Sequence, residues 1–370
     1  MWRWALAMIL AGCSSMRAVN YSDGDTTAPG AGGTGISLWP GRVEYDPVSG
    51  FWGFATDGAG ANPCEEYYSR LGVIWHSVTP IGWGGVAMVL TGYIISPTTG
   101  VRVASFQGAD QLFYTLAGYP GVWAPWNGIG GTGNTYMFPE TDGSIWVVYN
   151  STAGTLDWQA NPAAGGPPAA GVPQPGFAGA PPPLYALKHS RHDALEADQY
   201  DTGNPLWMAI TATEVSSSVD GSNWTAAALH GIPIPGFTME YSAHTRRWHT
   251  LDTTAGNLQH FFSEDNGVTW IAGTVIDATL AFSGGSKLAS DRFGTLVCLA
   301  IDSVAVTAHV YASVDDGATW TEVAMPSTIA LNGGAGSLAG YGGGRFMLVV
   351  EDGAAPATYY PFIGLASIDQ

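Results

Sequence analysis

The sequence predicts an all-β fold, a six- or seven-bladed β-propeller, on three observations. The first is a repeated octapeptide. Ser263 to Trp270 reads SEDNGVTW and Ser313 to Trp320 reads SVDDGATW, so both are Ser-x-Asp-x-Gly-x-Thr-Trp. The second is period. A worn copy, SSVDGSNW, keeps Ser217, Gly221 and Trp224 at their offsets, while its Asp slips by one and Asn replaces Thr. The three tryptophans then recur at intervals of 46 and 50 residues, the length of a propeller blade. The third is composition. With 51 Gly, 23 Pro, 15 Trp and 16 Tyr in 370 residues, the chain suits short strands joined by tight turns and suits helices poorly.

Each residue of the repeat has a mechanical reason to be there. Short Ser and Asp side chains bond nearby amides and hold a turn, and Gly takes a backbone conformation that other residues resist. Trp resumes the strand and supplies a large ring to bury. The pattern resembles the Asp-box, or BNR repeat. The resemblance implies a hairpin turn between the outer strands of a blade, with structural roles for Ser263, Asp265, Gly267, Thr269 and Trp270, and for Ser313, Asp315, Gly317, Thr319 and Trp320. Families carrying this motif include sialidases, other glycosidases, sortilin-like receptors and assembly modules, so the motif points to a fold more than to a function.

Taken in order, residues 1–35 read as an N-terminal arm or signal segment with a linker. Leu10-Ala11-Gly12-Cys13 resembles a bacterial lipobox, with Arg3 as the charged region and Ala5 to Ala11 as a short apolar one. The alternative is a retained arm. No stretch reaches the roughly 18 apolar residues of a membrane span. The propeller is expected over 36–365, with a tail at 366–370. Strand-like runs include Val86 to Leu90, Val101 to Ala104, Ser144 to Tyr149, Leu206 to Ile210, Gly294 to Ala300 and Phe346 to Val350. Residues 161–183, rich in Pro, Ala and Gly, read as a polyproline-like insertion, because proline denies a central strand its amide donors. A boundary between two domains is the other reading. A period of about 48 residues divides the propeller into roughly seven blades, or six if the insertion consumes half a period. Ala194 to Tyr200 is the best short helix. Cys64 and Cys298 are a disulfide pair or two separate buried thiols.

A formal charge of −18, with 12 Lys plus Arg against 30 Asp plus Glu, argues against nucleic acid as partner. No P-loop, dinucleotide fingerprint, Gly-x-Ser-x-Gly or His-Glu-x-x-His occurs, and no cofactor is implied. Sialidase chemistry needs three converging Arg, a Tyr paired with Glu, and an acid/base Asp. The family's Phe/Tyr-Arg-Ile-Pro motif is missing; the nearest text is Trp39-Pro40-Gly41-Arg42-Val43. Arg42, Arg102, Arg246, Arg247, Arg292 and Arg345 are the arginines that would have to converge, and Glu240-Tyr241 would point to opposite faces of a strand. His189, His192, Asp193 and Glu196 would share a face of a short helix, a weak metal candidate set against a solvated connector. Trp83, Trp123 and Trp126 sit in loop-like surroundings and offer a platform for stacking on sugars.

Two functional classes follow. One, which the resemblance to Asp-box families implies by analogy, is a non-enzymatic structural or recognition module, a phage virion (tail-associated) or bacterial surface component contacting other proteins of its assembly through residues 14–36 and 161–183. The other is a secreted or lipid-anchored glycoside hydrolase or carbohydrate-binding propeller acting on cell-surface glycans.

Overall fold

A computed structural model of the chain describes residues 17–18, 43–55, 66–70, 76–78, 89–96, 99–107, 111–115, 122–126, 137–139, 145–150, 155–160, 169–173, 184–190, 206–221, 223–233, 235–236, 238–254, 256–282, 286–291, 294–302, 304–305, 307–323, 336–341, 345–351 and 359–365. Strands next to each other in sequence pair antiparallel, and among the described residues they form seven four-stranded sheets. The first holds β2 (Val43–Asp46), β3 (Phe51–Ala55), β4 (Glu66–Ser69) and β5 (His76–Val78). The second holds β6 (Val89–Ile95), β7 (Arg102–Gln107), β8 (Gln111–Tyr114) and β9 (Ala124–Trp126), and the third β10 (Met137–Pro139), β11 (Ile145–Asn150), β12 (Thr155–Ala160) and β13 (Ala169–Pro173). The fourth holds β14 (Ala186–His189), β15 (Trp207–Ile210), β16 (Glu214–Ser218) and β17 (Ala228–Leu229). The fifth holds β18 (Glu240–Ser242), β19 (Arg247–Thr254), β20 (Asn257–Ser263) and β21 (Ile271–Asp277). The sixth holds β22 (Lys287–Ser290), β23 (Leu296–Asp302), β24 (Thr307–Ser313) and β25 (Thr321–Val323). The last joins β26 (Gly336–Tyr341), β27 (Arg345–Glu351) and β28 (Tyr359–Leu365) to β1 (Arg17–Ala18).

The fourth strand of the last sheet thus comes from the opposite end of the chain. Arg17 pairs with Ile363 and Ala18 with Phe362. The segment read as an arm supplies an edge strand that ties the two ends of the chain together. The Pro-rich segment also departs from a simple excursion. Ala169–Pro173 pairs with β12 as an outer strand, and a register shift accompanies that pairing. An edge tolerates proline because only one side of the strand needs its donors.

First strands of successive sheets lie against one another from β26 through β2, β6 and β10 to β14, and from β18 through β22 to β26. They therefore surround an axis. Second strands carry the burial: β23, Leu-Val-Cys-Leu-Ala-Ile-Asp, is buried at every residue, as expected of a strand covered on both faces. The core is a series of wedges between adjacent sheets. In one, Met208, Ile210 and Val215 of the fourth sheet meet Trp248 and Phe261 of the fifth. In the next, Leu251 and Leu258 meet Leu288, Leu296 and Tyr311 of the sixth. Phe346, Leu348 and Val350 of β27 pack on Val297 and Leu299, while Met347 and Val349 of the same strand pack on Trp52 and Phe54. Alternate residues of one strand thus serve two wedges.

Many acids are absorbed by turns. Asp46, Asp252 and Asp302 each accept amides two or three residues ahead, and Asp277 caps Thr279 and Leu280. Part of the acidic composition is therefore turn chemistry. Cys298 carries a free, buried thiol; Cys64 and the short helix expected at 194–200 lie outside the described residues.

Candidate functional site

The two full repeats occupy the same place, between the third and fourth strands of their sheets. Ser263 Oγ donates to Asp265 Oδ1 (2.9 Å) and accepts the Gly267 amide (2.8 Å). Asp265 accepts the Thr269 amide (2.8 Å) and hydroxyl (2.6 Å). Ser313, Asp315, Gly317 and Thr319 repeat this set at 2.8, 2.8, 2.8 and 2.6 Å. These bonds to Thr and Ser outweigh the upward push of burial and hold both aspartates below their ordinary pKa. Asn266 and Gly267, like Asp316 and Gly317, have φ of 60°, 83°, 58° and 84°, so each turn needs two consecutive left-handed residues.

The third copy is aligned differently from the sequence expectation. Ser218, not Ser217, donates to Asp220 (3.1 Å) and accepts the Gly221 amide (2.9 Å), and Asp220 accepts the Asn223 amide (2.7 Å). The Asp has kept its offset; the residue before Gly is missing. Ser217 instead shares a hydroxyl contact with Thr225. Trp224 keeps its place, its indole N–H donating to Gly221 O (3.0 Å) as Trp320 does to Gly317 O (3.1 Å).

Other expected sites change character. Trp123 is 5 % exposed, and its indole N–H donates to Glu66 (3.2 Å), so its ring offers no free face for a sugar. Flanking Gly and Pro made it read as a loop residue. Trp126 lies on β9; Trp83 lies outside the described residues. His189 lies on β14, buried edge-on against Trp207 at 4.5 Å, rather than on a helix. His192, Asp193 and Glu196 lie outside the described residues, and no group of three metal-ligating side chains occurs among those described. Of the sialidase arginines, Arg42 and Arg292 lie outside the described residues, and Arg102, Arg247 and Arg345 do not converge. Arg102 is buried between Asp46 (3.2 Å) and Glu66 (3.5 Å), Arg247 faces Glu264 and Asp316, and Arg345 lies over the Tyr45 ring.

Two ionisable clusters were not legible in the sequence. One lies where the first strands meet. Lys188 of β14 bonds Glu240 of β18 at 2.7 Å, the two side chains being 22 % and 16 % exposed. Burial lowers the Lys188 ammonium pKa, but Glu240 and then Glu44 of β2 outweigh it and raise it. Glu44 acts from a sheet that is not adjacent to β14's, so its charge is felt across the space that the first strands surround. Lys188 and Lys287 are the chain's two lysines, and both stand on first strands. Glu240 and Tyr241 diverge as neighbours on a strand do: Glu240 goes to Lys188 and Tyr241 to Trp248.

The other cluster lies under the second repeat. His249 Nδ1 and His260 Nε2 are 2.8 Å apart with their rings stacked, and His249 Nε2 stands 3.3 Å from Asp316 Oδ1. Thr245 donates to Asp316 at 2.5 Å. Both histidines are fully buried.

No protein-family model matches the sequence, and no curated protein matches it. Solved structures do. Virginiamycin B lyase from Staphylococcus aureus, as a catalytically inactive histidine variant with quinupristin, superposes with a TM-score of 0.63 at 9% identity, over 95% of this chain and 99% of that one. YCF48 bound to D1 peptide gives 0.57 at 11% identity, over 96% and 99%. A polysaccharide lyase of family PL25, an ulvan lyase bound to -[GlcA(1-4)Rha3S]-, gives 0.58 at 9% identity, over 93% and 96%. The chain is an all-β, multi-bladed propeller. That fold is shared by a peptide-bound protein and by lyases, and no helix among the described residues is long and apolar enough to cross a membrane.

Proposed function

We propose that this chain is a carbohydrate-binding propeller of seven blades, one per four-stranded sheet, with Asp-box turns, and that its ligand seat is the axial cluster of Glu44, Lys188 and Glu240. The observation that carries the reading is the Lys188–Glu240 ion pair between two first strands, with the buried Glu44 of a third first strand adding its charge. Carboxylates accept from sugar hydroxyls and an ammonium donates to ring and hydroxyl oxygens, so the cluster offers both polarities to a polyol. The ulvan lyase supports the reading as a propeller bound to a glycan chain.

Burial opposes the charged form of Lys188, but Glu240 and Glu44 outweigh it, so Lys188 is suited to donating to sugar oxygens. The role in a virion or surface assembly has less support, because both segments expected to contact other proteins contribute strands, β1 and β13, to sheets within the chain.

Titration of neutral and uronate-containing oligosaccharides by calorimetry tests the proposal. Binding that Glu240→Gln weakens on the order of ten-fold or more is expected, since one hydrogen bond to a charged group is worth about 1.5–3 kcal/mol. Binding unchanged in a Lys188→Met, Glu240→Gln double variant would sink it. Release of unsaturated sugar ends from a polysaccharide would replace it with a lyase.

A further inference from the structure

Strand register shows that the two buried histidines replace an apolar pair. Trp207 pairs with Ser218 and Trp248 with Ser263, so Met208 corresponds to His249 and Val215, opposite Ile210, to His260, opposite Leu251. In the sixth sheet the same places hold Val297 and Val310. The turn of the following sheet stands on each pair. A Cβ on Gly267 would come 2.8 Å from Met208 Cε and 3.3 Å from Val215, whereas one on Gly317 would collide with the His260 ring. The residue before glycine differs in step: Asn266 above the apolar pair, Asp316 above the histidines.

We propose that the junction between the fifth and sixth sheets is an acid-sensitive latch, in which protonation of His260, stacked on His249 beneath the turn that carries Asp316, releases that turn. At 2.8 Å the facing nitrogens share one hydrogen, which one ring donates and the other accepts. A proton on each would set two N–H groups head-on inside a wedge that excludes water. The surroundings relieve the added charge only in part. Arg247, also on β19, reaches Asp316 (3.6 Å) and is itself paired with Glu264. Asp316 is the acid facing the pair, and Asp315 in the same turn is spent on Ser313 and Thr319. Gly273 of β21 and the Trp320 ring close the remaining sides without charge. His244, in the turn before β19, lies beside Gly294. Burial first, and His249 second, hold the folded-state pKa of His260 down to about 3. The unfolded chain therefore takes up a proton near pH 6.5 that this site refuses. The stability it contributes is complete above about pH 6.5 and is lost as the pH falls toward about 3.

Hydrogen–deuterium exchange, corrected for the intrinsic effect of pH, reads the latch directly. Between about pH 7 and pH 4, peptides spanning 247–263 and 307–323 should lose protection on the order of ten-fold or more, while those spanning 207–221 change little. A His249→Met, His260→Val variant, which installs the pair from under the first turn, should remove that loss. Equal loss over 207–221, or an unchanged loss in the double variant, overturns the proposal. Asp316→Asn gives a second arm if the double variant fails to fold. By removing the carboxylate that faces the histidines, it should move the opening to higher pH, and an unmoved midpoint overturns the latch.

Discussion

The first and second full turns share five of eight residues and the same Ser, Asp and Thr hydrogen bonds, yet they rest on different ground. Both hold Gly at a φ no other residue takes readily, and both close Asp onto Thr within 0.1 Å of the same distances. The first sits on Met208 and Val215, flexible and apolar. The second sits on two stacked histidines, reaches back to Thr245 and Arg247 through Asp316, and takes a backbone bond from the Asp316 amide to Gly294 O (2.8 Å). The octapeptide therefore specifies how a turn closes on itself. What lies beneath decides whether the turn is a passive cover or a polar tie between sheets.

Glycine replacement should separate the two turns most. Gly317→Ala forces a left-handed residue against a rigid ring, and a loss of roughly 3–5 kcal/mol in urea unfolding is expected from backbone strain plus overpacking. Gly267→Ala meets the mobile end of Met208 and should cost about 1–3 kcal/mol. Equal losses would erase the distinction. Asp265→Ala and Asp315→Ala should instead cost the same, about 1–3 kcal/mol each, because each removes acceptors for one amide and two hydroxyls. Both folded-state pKa values lie below the ordinary one, so the aspartates' contribution is present above about pH 3.8 and lost below it. Asp316→Asn at neutral pH should cost about 1–2 kcal/mol, while the reciprocal Asn266→Asp should change stability by less than about 0.5 kcal/mol, there being no histidines beneath it. The smallest effect belongs to the third turn. Insertion of Asn between Asp220 and Gly221 restores the eight-residue spacing and should stay within about 0.5 kcal/mol, with the Gly amide still bonded to Ser218 Oγ.

The strands and turns were open to sequence reading because both depend on neighbours. A Ser, an Asp and a Gly within five residues bond one another wherever the chain goes, and a run such as Leu296 to Ala300 is a covered strand in any sheet. The misplaced Ser217 shows the limit: a one-residue deletion in a turn is visible only when the bonds from Ser218 are. Trp123 shows another, since burial against Glu66 depends on strands 57 residues earlier in the chain.

By itself, the sequence determined an all-β chain of repeated hairpins and two octapeptide turns that engage Asp265 and Asp315, since those interactions span two to five residues. Only the tertiary structure decided that Lys188 and Glu240 pair across two sheets under the charge of Glu44, that Arg17–Ala18 closes the last sheet, and that His249 and His260 lie under Asp316. Each of these joins residues from different strands or different sheets, and the partner is set by sheet register and wedge packing rather than by any local preference.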